Sequence, residues 1–178
     1  MANPGQGRRA HVVAAVIGLG VAATVAVGCA PPIRVNTMTS PTASFAGRAT
    51  WAWRPAVGGP IGNSVVGQYI QQDIAQQLAA KGYQQAFDGT PGFFVDYRVI
   101  LRPEASLEGF GGGWGGGTLQ TIHFTRGMLV VSASDPATDQ AIWQGSASTV
   151  IDPDGGGSQA TQQIDDAVTK MFQSFPAR

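Results

Sequence analysis

Apolar and polar positions alternate with period two along several stretches of this chain, and recur near every fourth residue along two others. Ile33, Val35 and Thr37 alternate with Arg34 and Asn36, and across Arg48–Trp53 the residues Ala49, Trp51 and Trp53 share a face. Successive side chains of a strand point to opposite faces, so both stretches predict strands with one side to bury. Phe93–Leu101 carries the strongest alternation. Phe93, Val95, Tyr97, Val99 and Leu101 point one way, while Asp96 and Arg98 sit as neighbours on the other, a partly solvated pair. The pattern stops before Pro103, and a glycine-rich run, Gly109–Gly117, follows. Further strands are predicted at Leu119–Thr125 and Met128–Ser134, or as one strand bent at Gly127. After the turn composition of Asp135–Asp139, a return strand is predicted at Ile142–Ile151.

The helical periods lie on either side of these strands. From Asn63 to Lys81, the residues Val66, Ile70, Ile74 and Leu78 recur every four positions, joined by Tyr69. Gln68, Gln71, Gln72, Gln76 and Gln77 supply much of the polar surface. Asn63 is placed to cap the start, and Gly82 to close the end in a left-handed conformation. A second helix is predicted over Gln159–Ser174, with Ser158 as its cap and Ile164, Val168, Met171, Phe172 and Phe175 as its apolar stripe. Asp165 and Asp166 near its start and Lys170 nearer its end suit the helix dipole. Strands outnumber helices, and each helix has one face to bury. The predicted class is α+β: an antiparallel or mixed β-sheet with two amphipathic helices packed on one face, a two-layer sandwich.

The N-terminus follows a different logic. Arg8 and Arg9 precede an apolar run, Val12–Val27, which ends in Ala26-Val27-Gly28-Cys29. A charged start, a hydrophobic stretch and small residues before a cut make a secretory signal. The run is shorter than the roughly 20 residues a spanning helix needs. Cys29, the single cysteine, stands where a lipoprotein signal peptide ends and a diacylglyceryl group joins the thiol. Ala26 is a departure, since that position usually carries Leu. The expected organisation is a signal peptide at 1–28, a lipid-anchored stalk with the first short strand at 29–44, and one α+β envelope domain at 45–178. Losing Arg8 and Arg9 leaves nine basic residues against eleven acidic ones, a net charge of about −2. No basic patch points to nucleic acid. With its sole thiol acylated, the domain has no internal disulfide and rests on its core. Ala30 is not the aspartate that retains lipoproteins at the inner membrane. The expected location is therefore the outer membrane, by a palmitate-type lipid anchor, on the periplasmic face.

Candidate chemistry is sparse. The glycine run contains G-x-G-x-x-G at Gly111, Gly113 and Gly116, but a strand rather than a helix follows it, so no dipole faces a phosphate. Asp152-Pro-Asp154-Gly155 lacks the spacing of a calcium loop. His123 is the only histidine after Cys29, too few for a multi-histidine metal site, and no Gly-x-Ser-x-Gly elbow accompanies it. No catalytic residue, metal site or cofactor is predicted, and the expectation is a non-enzymatic protein. Phe110 and Trp114, both within the glycine run, are candidate aromatic contacts for a partner. Trp51, Trp53 and Trp143, at strand spacing, read as packing.

The order of motifs carries a resemblance. After the cysteine come Ile33-Arg-Val-Asn36, Phe45-Ala-Gly-Arg-Ala-Thr-Trp-Ala-Trp53, a helix ending Lys81-Gly-Tyr83, and Pro91-Gly-Phe-Phe-Val-Asp-Tyr-Arg-Val99. A Gly/Trp-rich loop leads to Arg126-Gly-Met-Leu-Val-Val131, Ile142-Trp-Gln-Gly145 and a last helix running to Phe175-Pro176. This resembles the bacterial lipoprotein family designated domain of unknown function 4136. Gly92, where Asp is common, and Arg126 with Met128, where Glu and Thr are common, depart from its pattern. The resemblance implies a small α+β envelope lipoprotein with no established chemistry, and assigns a role only to Cys29, as the lipid attachment site. The leading expectation is a membrane-tethered module binding another envelope protein. The alternative is a carrier or sensor of a small amphiphile held between sheet and helices, with Val95, Tyr97 and Phe172 lining its cavity. A hydrolase centred on His123 is a third reading, needing a serine and an acid in hydrogen-bond reach.

Overall fold

The computed structural model describes residues 32–55, 57–110, 118–151 and 156–178. In chain order the elements are β1 (Arg34–Thr39), β2 (Thr50–Trp53), α1 (Val65–Ala80), β3 (Gln84–Gln85), β4 (Phe93–Phe110), β5 (Thr118–Ser134), β6 (Ala141–Ile151) and α2 (Gly156–Phe172). The strands form one sheet in the order β1-β6-β5-β4-β2-β3. β1, β6, β5 and β4 pair antiparallel, whereas β2 pairs parallel with both β4 and β3. A parallel pair needs a crossover, and α1 supplies it between β2 and β4. This is the expected α+β class, with a mixed sheet.

One face of the sheet makes the core. Val95 and Tyr97 of β4, Val131 of β5 and Trp143 of β6 are buried with Ile70, Ile74 and Leu78 of α1 and with Val168, Met171 and Phe172 of α2. Trp51 is buried too, so two of the three strand tryptophans are core residues; Trp53 is half-buried against the Trp51 and Tyr97 rings. Gly82, at φ 91°, closes α1, and the Tyr83 amide behind it bonds the Leu78 carbonyl. At one end of the sheet Arg48 pairs with Asp135 and Arg54 with Asp139, tying the β5–β6 turn to the segment around β2.

Several expectations are corrected. α1 starts at Val65, with Ser64 rather than Asn63 as its cap; the Ser64 hydroxyl accepts from the Gly67 amide at 3.0 Å. Its buried stripe is Gly67, Ile70, Ile74 and Leu78, while Val66 and Tyr69 are exposed. Two of the glutamines expected on the wet face bond inside the protein: Gln71 donates to the Gly62 carbonyl, and Gln77 to the Thr169 hydroxyl across the helix pair. α2 starts at Gly156, which places Ser158 within the helix. Asp96 forms no ion pair with Arg98; its carboxylate accepts from the Gly58 and Tyr97 amides. β5 runs unbroken through Gly127, and β4 runs past Pro103 to Phe110.

The sheet itself explains how Pro103 fits within a strand. The Arg54 amide donates to the Val95 carbonyl, so the Val95 backbone faces β2. Backbone orientation alternates, and the β4–β5 register is unbroken, so Pro103 shares that orientation. β2 reaches only as far as Val95. The Pro103 nitrogen thus faces an edge on which no described strand pairs, and no ladder bond is lost.

Candidate binding site

Two features stand at the end of the sheet opposite the Arg–Asp ties. The first is a ribbon. β6 stops pairing with β5 at Ile151 opposite Thr125, so among the described residues Glu104–Phe110 and Thr118–Phe124 pair only with each other. Both edges of this two-stranded ribbon are unpaired among the described residues. One face continues the core side of β4 and β5 outward and carries Leu107 and Leu119, which are 71% and 76% exposed; Leu101, 60% exposed, precedes them on the same face at the edge of the groove. The other face carries Glu104, whose carboxylate accepts from Arg126 at 2.9 Å. Arg126 stands opposite Arg102, so this diagonal contact offsets a like-charged cross-strand pair.

The second feature is a groove where the helices end and the sheet continues. It has a volume of about 400 Å³ and lies between α1, α2 and the strands. Val66 and Ile70 of α1, Val99 and Leu129 of the sheet, and Ile164 of α2 form much of its lining; none of its lining residues is charged. Two lining residues could hydrogen-bond from the helices. The Ser64 hydroxyl is already engaged, donating to the Ile61 carbonyl and accepting from Gly67. The Gln163 Nε2 is buried and has no hydrogen-bond partner.

The expected site residues fall unevenly on this frame. Cys29 and Trp114 lie outside the described residues, as do Gly111, Gly113, Gly116 and the Asp152–Gly155 turn. Phe110 is the last residue of β4, opposite Thr118 at the ribbon's tip. Val95, Tyr97 and Phe172, expected to line a cavity, are each 1% exposed and packed in the core; the groove lies further along the sheet. His123 is exposed on the ribbon, paired with Ala105, beside a hollow lined by Glu104 and Phe124 but by no serine. Glu104 is turned to Arg126 instead, so the described residues assemble no triad at His123. Among them, no cluster of three or more His, Cys, Asp or Glu is placed to hold a metal ion. No described helix is long and apolar enough to cross a membrane. The groove's residues Val66, Ile164 and Gln163 were missed as site residues. By its spacing Val66 reads as part of the buried stripe, and no signal in the sequence sets these residues apart.

A family model described as a domain of unknown function, DUF4136, matches residues 35–177. The chain belongs to this family. Among curated proteins, none matches the sequence. The DUF4136 domain is similar in fold to the chain of a PelC dodecamer from Paraburkholderia phytofirmans, at 11% identity and a TM-score of 0.52, covering 83% of this chain and 99% of that one. It is also similar to a PDZ domain protein from Parabacteroides distasonis, at 10% identity and a TM-score of 0.55, covering 84% of this chain and 37% of that one. At such identities the likeness concerns the fold alone.

Proposed function

We propose that this protein is a non-enzymatic, lipid-anchored module of the cell envelope that binds another envelope protein through its β4–β5 ribbon. The ribbon carries the reading. An isolated two-stranded hairpin is marginal in water, and unpaired strand edges invite pairing with another chain. Exposed leucines on one face add an apolar contact surface to those edges. Strand addition supplies main-chain hydrogen bonds for affinity and side-chain contacts for specificity. The signal-like leader and Cys29 support tethering to the outer membrane, which raises the effective concentration of the module for partners on that surface. The dodecameric state of the Paraburkholderia protein supports the use of this fold in assemblies.

The test is crosslinking in intact cells expressing the full-length protein, followed by capture and mass spectrometry. One dominant protein joined through residues 104–124, weakened by Trp114→Ala or Leu107→Asp, supports the reading. Ribbon-to-ribbon links between two copies would make this chain its own partner. Unchanged capture in both variants would remove the ribbon as the contact. Incorporation of an alkyne-bearing palmitate that is lost in Cys29→Ala would establish the anchor, and labelling that survives the substitution would refute it.

A further inference from the structure

We propose that the partner taken up by the ribbon is a second copy of this chain, joined edge to edge through β4 in an antiparallel pairing with Ala105 against Ala105 on a two-fold axis. The inference rests on the ribbon reading above and names its occupant. β2 covers the β4 edge only as far as Val95, and the Asp96 carboxylate takes up the Gly58 and Tyr97 amides just beyond. From Leu101 to Gly109 no described element pairs with this edge. The backbone groups that face it belong to the odd-numbered residues, by the alternation that turns the Pro103 nitrogen the same way. With the axis at Ala105, the two copies exchange ladder bonds between Ala105 and Ala105, Leu101 and Gly109, and Pro103 and Leu107. Only the Pro103 nitrogen donates nothing, and its carbonyl still accepts from Leu107.

Charge selects this register. Arg102, Glu104 and Glu108 share the face of β4 turned away from the helices. An axis at Ala105 sets Arg102 of each copy opposite Glu108 of the other, and Glu104, still bonded to Arg126, opposite Ser106. Arg102 already faces the like charge of Arg126 across β5, so Glu108 supplies the opposite charge on its other side. Moving the axis by one residue in either direction puts glutamates face to face: Glu104 on Glu104, or Glu104 on Glu108. An axis at Pro103 also matches opposite charges, but it centres the ladder on two nitrogens without hydrogens and drives Gly109 against Tyr97, whose amide Asp96 already holds. The apolar face agrees with the charges. Leu119 reaches over Gly109, where a Cβ would stand 3.8 Å from the leucine Cδ2. In the Ala105 register Leu101 of the other copy lies on the far side of that glycine, so Leu101 and Leu119 close over it, and Leu107 lands on Pro103. One isologous pairing thus covers all three exposed leucines.

Two differently tagged copies of the full-length protein, co-expressed and solubilised in mild detergent, test this. Capture through one tag should recover the other copy. Arg102→Glu, or Glu108→Arg, carried by both copies should lower that recovery about ten-fold, because each turns two opposite-charge contacts into like-charge ones. Arg102→Glu on one copy and Glu108→Arg on the other should restore it, since both contacts regain opposite charges. Both residues are exposed, so the Tm of each variant should match the parent. Recovery indifferent to the single reversals, or not restored by the mixed pair, would overturn the pairing. Failure to recover the second copy at all would overturn it as well, and crosslinks then separate the two readings. A different protein crosslinked through residues 104–124 would leave the ribbon as a contact surface, whereas no crosslink there would remove both.

Discussion

The Tyr97 hydroxyl is buried between β4 and α1, where it donates to the Gly67 carbonyl at 3.1 Å and accepts from Gln71 Nε2 at 3.3 Å. Tyr97→Phe keeps the ring and removes both bonds, so urea unfolding should show a loss of about 1 kcal/mol. Two aspartates should give opposite pH slopes. Asp135 is held below the ordinary carboxylate range, first by the hydrogen bond from Arg48 and then by the Ala137 amide. A depressed carboxyl contributes stability above its unfolded pKa of about 3.9 and loses it as pH falls through the folded value. Asp135→Asn should therefore lower Tm at pH 7, with the gap closing as the protein is acidified. Asp73 is pushed up, first by burial and then by the nearby charge of Asp165. Its charged form is the disfavoured one, so Asp73→Asn should raise Tm at pH 7, and that gain should vanish as pH falls through the raised value. Parallel slopes for the two variants would refute the assignment.

The helices and strands were legible to the extent that each could be recognised from its own residues. Val95, Tyr97 and Val131 lie on the buried face their alternation requires, and Ile70, Ile74 and Leu78 hold the helical stripe. Where the outcome depended on a neighbouring element, the pattern fell short. β3 is two residues long, too short to show any period, and exists because β2 offers it an edge. Pro103 ends a strand in isolation, yet it is accommodated here because its nitrogen faces an edge on which no described strand pairs. Gly67 makes the same point about helices. Ala has the higher helix propensity, by about 1 kcal/mol. A Cβ at residue 67, however, would stand 2.1 Å from the Ile61 carbonyl oxygen and 2.8 Å from that of Gly62. These are backbone atoms with little room to give, and overpacking of this kind costs about 1–3 kcal/mol. Gly67→Ala should therefore lower the denaturation midpoint despite its better propensity. A higher midpoint would mean that the turn before α1 yields readily.

At the scale of the whole molecule, the candidate sites arise from a mismatch of lengths. β4 and β5 outrun both helices and β6, which leaves the groove open at the end of the helical layer and the ribbon beyond it uncovered by any described element. Neither was visible in the sequence, because no single element records where its neighbours stop; Gln163 read only as one more polar residue of an amphipathic helix. The same mismatch separates folding from binding. Among the described residues no core residue lies between Pro103 and Thr125, so the described part of the ribbon adds nothing to the buried cluster. Replacing residues 103–125 with Asn-Gly would close β4 and β5 on the pair Arg102–Arg126, which by the alternation of the strand is a hydrogen-bonded pair, with a turn suited to a two-residue hairpin. This variant should melt cooperatively within a few degrees of the parent while losing its crosslinks to the envelope partner. A large fall in Tm would show instead that the ribbon stabilises the domain, and its leucines would then need no partner to explain them. Full retention of the crosslinks would move the contact surface to the polar face of the sheet that the helices leave open.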